Sequence, residues 1–268
     1  MRPKILIPVV LSAALIIGLV AFTDPKKLVT VMEGFHKLDL LYVLLLLIAY
    51  AVVRGTQWHF LLISLGFHLP IKTQVFAFTV GEMAKSLPIG NYFQNYLLQQ
   101  SKGTDFGRTS AATTVIVLTE VAVSLVGVVI LGVGTWTSWL RPVIVIGLVV
   151  FLVGAWTYHK LHHSGRAPRW IREHKAMVKV MDEFQQFKDG AADLFHPRIL
   201  AIEALLSTTY LFCGGAALYV VVRGLGVGTL SFWQVLAVYF FSLAFSLIFP
   251  LPVDIGVLEA SAVGAFLA

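Results

Sequence analysis

The sequence predicts an all-α membrane protein, a polytopic helix bundle of about six spans with additional broken, re-entrant helices and an inverted internal repeat. Three observations carry that prediction. Hydrophobic residues make up 58% of the chain and charged residues 13%, with a mean hydropathy of +0.84, a balance that soluble globules of this length do not show. Apolar runs long enough to cross a bilayer recur along the chain. Near its end, Phe249-Pro250-Leu251-Pro252-Val253-Asp254-Ile255-Gly256-Val257-Leu258-Glu259 sets two prolines, a glycine and two carboxylates inside apolar sequence. Each proline removes a backbone donor, and an acid at this depth is costly unless it faces protein or water. Broken backbone in a membrane reads as a lined cavity.

Arg2 and Lys4 precede an apolar run from Ile5 to Phe22. It is longer than the core of a cleaved signal peptide and lacks a small-x-small cleavage site, so residues 1–39 read as an anchor helix and an outer loop. Leu40 to Ile63 is the second span, carrying Arg54, Gln57 and His59 on its later half. Thr73 to Leu87 is too short to cross, because fifteen residues at about 1.5 Å each reach roughly 22 Å against a hydrocarbon core of about 30 Å. It is expected to enter and return along Asn91 to Gln100, with Pro88 and Gly90 marking the break. Asn91, Gln94, Asn95 and Gln99 fall on one helical face. Unsatisfied amides are costly in lipid, so this stripe is expected to face a polar cavity or the aqueous boundary; a helix lying flat at the interface is the alternative. Thr109 to Gly132 forms the third span, with Glu120 near its middle, and Pro142 to Tyr158 the fourth, closing a first repeat over 40–158.

The composition then changes. Residues 159–198 hold eight Lys or Arg against five acids, with Trp170, Met177, Met181 and Phe184 recurring at helical intervals. This reads as a basic amphipathic cytoplasmic connector on the membrane surface, with partner docking as the alternative. Ile199 to Val222 and Phe232 to Phe249 are the fifth and sixth spans, and 199–268 is a second, incomplete repeat. Leu65, Gly66, Gln74, Val75, Ala77, Ala84, Ser86 and Leu87 recur 160 positions later as Leu225, Gly226, Gln234, Val235, Ala237, Ala244, Ser246 and Leu247, and both copies run into proline, at Pro88 and Pro250. With the amino terminus inside, fourteen basic residues lie on the cytoplasmic side against five outside, which sets the orientation. The two copies then have opposite topology, the arrangement found in alternating-access transporters.

The formal charge of +6 does not indicate nucleic acid, because the basic residues lie between hydrophobic spans, where they meet anionic headgroups. The single cysteine, Cys213, supports no disulfide, zinc or thiol chemistry. No serine–histidine–acid set, phosphate loop or HExxH motif is present, so no enzyme activity, metal or cofactor is expected. The candidate binding residues are Arg54, Glu82, Lys85, Asn91, Gln94, Asn95, Glu120, Asp254 and Glu259; the candidate breaks are Pro88, Gly90, Pro250, Pro252 and Gly256. Isolated charges would each bear the cost of burial alone, so Arg54, Lys85, Glu120, Asp254 and Glu259 are expected to converge on one cavity. Glu203, just inside its span, is expected to be interfacial and Glu203→Gln nearly silent.

Leu87-Pro88-Ile89-Gly90-Asn91, Tyr96-Leu97-Leu98, Lys102-Gly103, Ala111 through Glu120, and Pro250 through Ala260 resemble the transmembrane region of the lysylphosphatidylglycerol synthase family, also called flippase-like. The resemblance covers most of the chain from about Leu40 onward. Asn91 stands where that family places a glutamate after the first break, and Val253-Asp254 replaces part of its Pro-Gly-Gly. The resemblance implies lipid translocation, or association with lipid-modifying and glycosyl-transfer pathways, in a prokaryotic plasma membrane. The resulting expectation is a flippase for an anionic lipid or lipid-linked precursor; the alternative is a non-transporting scaffold subunit. Membrane lipids are the expected partners, with a homo-oligomer or partner enzyme left open and no nucleic acid. Counterparts of Thr109–Gly132 and Pro142–Tyr158 do not follow the second break. The expectation is a truncated chain, or a short member whose flank beside Asp254 and Glu259 is covered by lipid or another subunit.

Overall fold

The computed structural model describes residues 35–84, 90–132, 175–225 and 230–248. Among these residues the chain forms α-helices and one 3₁₀ turn and no strand. The expected anchor before residue 23, the span at 142–158 and the broken stretch 249–259 lie outside them, as do Pro88, Pro250, Pro252 and Gly256.

Helix α1 (Lys37–Ser64) starts from an extended His36 and carries Asp39 in its first turn, where a carboxylate opposes the positive end of the helix dipole. It stops at Leu65-Gly66. Gly66 takes φ +84°, its N–H donates to the Ile63 carbonyl at 2.8 Å, and that of Phe67 donates to Leu62 at 2.9 Å. These bonds satisfy carbonyls that the helix end would otherwise orphan, and only glycine adopts this φ cheaply. Helix α2 (Ile71–Ala84) has 14 residues, about 21 Å of rise, and is too short to cross. A 3₁₀ turn (Gly90–Tyr92) leads into α3 (Phe93–Lys102), and α4 (Phe106–Gly132) follows. Helix α5 (Lys175–Leu194) lies within the expected connector. Helix α6 (Pro197–Gly224) opens with proline in its first turn, where the missing N–H costs nothing. Helix α7 (Phe232–Ile248) is apolar but short. Among the described residues, α1, α4 and α6 are long and apolar enough to span a bilayer.

Pairs of contacts fix the directions. Tyr50 meets Tyr210 and Gln57 meets Ser207, so α1 and α6 run antiparallel. His59 meets Gln74, Trp58 meets Phe78 and Arg54 meets Glu82, so α2 folds back along the later half of α1. Tyr219 meets Phe232 and Phe212 meets Phe240, so α7 runs antiparallel to α6. Helix α5 packs on the start of α4 at very close range: a Cβ on Gly107 would stand 2.1 Å from the Glu183 carbonyl oxygen.

The core has two main parts. Trp58, Leu61, Leu62, Leu98, Ala112 and Leu194 join α1, α3, α4 and α5 near one face, and Val128, Tyr210, Leu211, Leu236 and Phe240 join α4, α6 and α7. Lipid is as apolar as leucine, so these contacts hold by close packing and internal hydrogen bonds rather than by exclusion of water. The first half of α1 presents Leu40, Leu41, Leu44, Leu45 and Ile48 outward, as a helix bathed in lipid should.

Candidate functional site

Arg54 lies ten residues before the end of α1, about 15 Å along the helix from that face. It is 7% exposed. Its Nε donates to Glu82 Oε1 at 3.2 Å and its Nη1 to Glu120 Oε1 at 2.5 Å. Its guanidinium also lies over the Tyr210 ring, 4.9 Å from the centroid, and Tyr50 meets that ring edge-on at 5.1 Å. One arginine thus joins α1, α2, α4 and α6. A planar, delocalised, weakly hydrated cation suits this position, because it can serve two carboxylates and a π-face together. The carboxylates differ: the Glu120 side chain is 2% exposed and that of Glu82 26%.

One turn from Arg54, Gln57 Nε2 donates to Glu203 Oε1 at 2.5 Å and to Ser207 Oγ at 2.8 Å. Glu203 is fully buried, which corrects the interfacial reading of it. Position along α6 suggested an interfacial acid, but the side chain points into the α1–α6 seam, where Gln57 awaits it.

The amide stripe of α3 meets helices rather than an open cavity. Gln94 and Asn95 are buried and both donate to Thr113 Oγ1 of α4, at 3.2 and 2.9 Å, and Gln99 donates to Glu183 of α5 at 3.3 Å. The second oxygen of Glu183 accepts the Gly107 N–H at 2.8 Å, filling one of the donors left open at the start of α4. Gly90 is buried in the turn before α3. Of the residues expected to converge, the structure pairs Arg54 with Glu120 and adds Glu82. Lys85, Asp254, Glu259 and the Asn91 side chain lie outside the described residues.

Two cavities flank this centre. The larger, about 950 Å³, runs between α4 and α6 and is walled by residues such as Leu118, Val126, Leu200 and Phe212; Glu120 does not line it. The smaller, about 410 Å³, is a crevice between α1 and α2 walled by Gly55, Thr56, Trp58, His59, Gln74 and Thr79, among others. At its rim Gln74 Nε2 donates to the Leu69 carbonyl at 2.8 Å, which leaves Gln74 Oε1 to accept the Nδ1–H of His59 at 2.7 Å.

Sequence reasoning missed Gln57, Glu203, Ser207 and Tyr210 as one polar seam, and missed the His59–Gln74 pair. A signal existed. Tyr50, Arg54 and Gln57 step by four and three along α1, and Glu203, Ser207 and Tyr210 step the same way along α6, each placing a polar stripe on one face of an apolar helix.

Spanning helices clasped through a buried ionic and amide centre define a polytopic integral membrane protein. The chain belongs to the family described as Lysylphosphatidylglycerol synthase TM region, whose family model matches residues 5–268. No curated protein and no solved structure matches it.

Proposed function

We propose that this protein moves an anionic lipid or lipid-linked precursor between the leaflets of a prokaryotic plasma membrane. The observation that carries this reading is Arg54 held between Glu82 and Glu120 at the depth where α2 stops. A cation deep in the bundle, reached by a helix that does not cross, is what a phosphate-bearing headgroup needs on its way through the hydrocarbon layer.

The helix limits support a two-state path. α1 and α6 each have 28 residues, and their first residues, last residues and capping leucines, Leu65 and Leu225, are all offset by 160. Each is followed by a shorter apolar helix. α2 reaches Arg54 from one face, whereas Ala244 of α7 packs with Val121 and Leu125, beside the depth of Glu120, coming from the other. We read these as two inverted copies whose short helices open the centre to one leaflet at a time. Helix α5, with the rest of the basic connector, would face the cytoplasm.

The test is reconstitution of the full chain into phosphatidylcholine vesicles containing trace fluorescent phosphatidylglycerol or fluorescent phosphatidylcholine, with outer-leaflet probe destroyed chemically. Translocation of the anionic lipid in preference to the zwitterionic one is expected. A folded protein that leaves both probes in place would overturn the reading and favour the scaffold role, for which Val180 and Phe184 stand exposed on α5.

A further inference from the structure

The larger cavity takes its shape from the way α4 and α6 lie. Ala112 and Leu200, near their starts, share one packed cluster, and Val128, Tyr210 and Leu211 share another, so the two helices run parallel. The lining of the cavity recurs along α4 every three or four residues from Ala111 to Leu131. Twenty positions rise about 30 Å, which is the thickness of the hydrocarbon core. Phe187, Ala191 and Phe195 of α5 wall the end near the start of α4, and Phe240 of α7 lies against Gly127 towards the other. The cavity is therefore a groove running the depth of the bilayer.

Its walls are apolar even where the residues are not. Thr114 Oγ1 donates to the Ser110 carbonyl at 3.0 Å and Thr208 Oγ1 to that of Ala204 at 2.7 Å, so neither hydroxyl calls for a polar ligand. Leu118, Val126 and Ile130 line the groove and are exposed along it. Such a surface inside a membrane takes hydrocarbon, and length decides which kind. One leaflet is about 15 Å deep, so the chains of a diacyl phospholipid, confined to their leaflet, fill half of the groove. A polyisoprenoid chain is longer than a leaflet is deep and fills it from end to end.

Charge marks one mouth. On α5, half-buried Lys188 stands one turn before Ala191 on the same face, and exposed Arg198 opens α6 two residues before Leu200. The acids nearby have partners: Asp193 accepts from Arg108 at 2.6 Å and Asp189 from Gln185 at 2.9 Å. Among the described residues neither Lys188 nor Arg198 meets a carboxylate. Two uncommitted cations at the end of an apolar groove complement an anionic head on a hydrocarbon chain.

We infer that the α4–α6 groove holds the chain of a polyisoprenoid phosphate, with the phosphate beside Lys188 and Arg198 and the chain crossing both leaflets. The inference rests on the lipid-handling reading above and deepens it by naming the substrate class.

The experiment uses the full chain in phosphatidylcholine vesicles with trace radiolabelled undecaprenyl phosphate. Ile130, at the far end of the groove, is replaced by photoreactive benzoylphenylalanine, and Leu44, on the lipid-facing part of α1, is replaced in a reference protein. Excess unlabelled undecaprenyl phosphate is expected to cut cross-linking at position 130 at least fivefold and leave position 44 unchanged. The same excess of phosphatidylglycerol should not compete, and neither should farnesyl phosphate, which carries the same head on a short chain. Val126→Trp should remove the competable fraction by filling the outer half of the groove; Val126 is 56% exposed, so the change leaves the core untouched. Lys188→Gln with Arg198→Gln should raise the amount needed for half-competition by about tenfold, as expected for two cations near a headgroup.

The inference is overturned if position 130 shows no competable cross-link, if phosphatidylglycerol or farnesyl phosphate competes equally, or if competition survives Val126→Trp. An unchanged half-competition amount in the Lys188 and Arg198 variant overturns it too, as does a cross-link from position 130 to a second copy or another segment of the chain in place of lipid. Should it fail while the vesicles still translocate anionic lipid, the groove is wrong and the function stands. If the cross-link competes as expected but no anionic lipid is translocated, undecaprenyl phosphate included, the groove stands and the function falls.

Discussion

Gln57 and Glu203 are 146 residues apart in sequence and meet at 2.5 Å in the seam between α1 and α6. Both are fully buried, so neither can fall back on water if the other is removed. Gln57→Leu should therefore cost on the order of 1–3 kcal/mol, the penalty for a buried polar group that loses its partner. Glu203→Gln retains an acceptor oxygen and should cost less. The measurement is a double-mutant cycle of thermal stability in nanodiscs on Gln57→Leu and Glu203→Leu. A coupling of at least about 0.5 kcal/mol is expected for direct partners; additive losses would show that the contact contributes nothing.

Arg54 serves carboxylates from two helices, so its loss leaves the buried Glu120 and the half-buried Glu82 without their shared cation. Arg54→Gln should destabilise the fold by about 3–5 kcal/mol. Glu120→Gln should be more damaging to stability than Glu82→Gln, because Glu120 is sealed and Glu82 partly open. Size-exclusion recovery after graded heating orders the three. Equal losses for the two glutamates would contradict the difference in their surroundings.

The contact between α4 and α5 depends on a missing side chain. Gly107→Ala would drive a methyl group against the Glu183 backbone, and also against Gln186 Cβ at 2.8 Å, so α5 must move away. The Gly107 N–H and Gln99 would then lose Glu183. Limited proteolysis within 175–194 is expected to accelerate several-fold, with little change in the remaining helices. Unchanged cleavage would mean that α5 is held elsewhere.

How much of this was legible in the sequence depends on what each residue had to reveal. The limits of α4, α6 and α7 follow from apolar run length and flanking proline or glycine, and the shortness of α2 follows from counting. The faces of α1 and α6 were marked by the stripes Tyr50, Arg54, Gln57 and Glu203, Ser207, Tyr210, but three polar residues are a weak signal on a helix that is apolar nearly all round, and they went unread. Glu203 was misplaced for that reason. On α3 the amide face was visible, but its partner was not: Thr113 looks like any span threonine until α4 is placed beside Gln94 and Asn95. Arg54 and Glu120 were recognisable individually, since charge at depth is expensive, whereas their pairing required the fold.

The antiparallel seam also fixes which ends of the described helices share a face. Gln99, Gly107 and Glu183 are linked by hydrogen bonds, and Leu194 packs with Leu61, Leu62 and Leu98. The end of α1, the return of α3 and the starts of α4 and α6 therefore share one face. Lys72, Lys102 and Arg198 lie exposed on that side, and Lys37 and Leu225 at the opposite ends of α1 and α6. The excess of basic residues on the first side is the ground for proposing that it faces the cytoplasm. In a Cys213→Ser background, single cysteines at 37 and 225 should react with a membrane-impermeant maleimide in intact cells, and those at 72, 102 and 198 only in inverted vesicles. Replacing Lys37 or Lys102 alone removes one charge among many and should not reverse the protein. Labelling of positions 37 and 102 from the same side would break the antiparallel arrangement itself, and with it the argument that α2 and α7 approach the Arg54 centre from opposite leaflets.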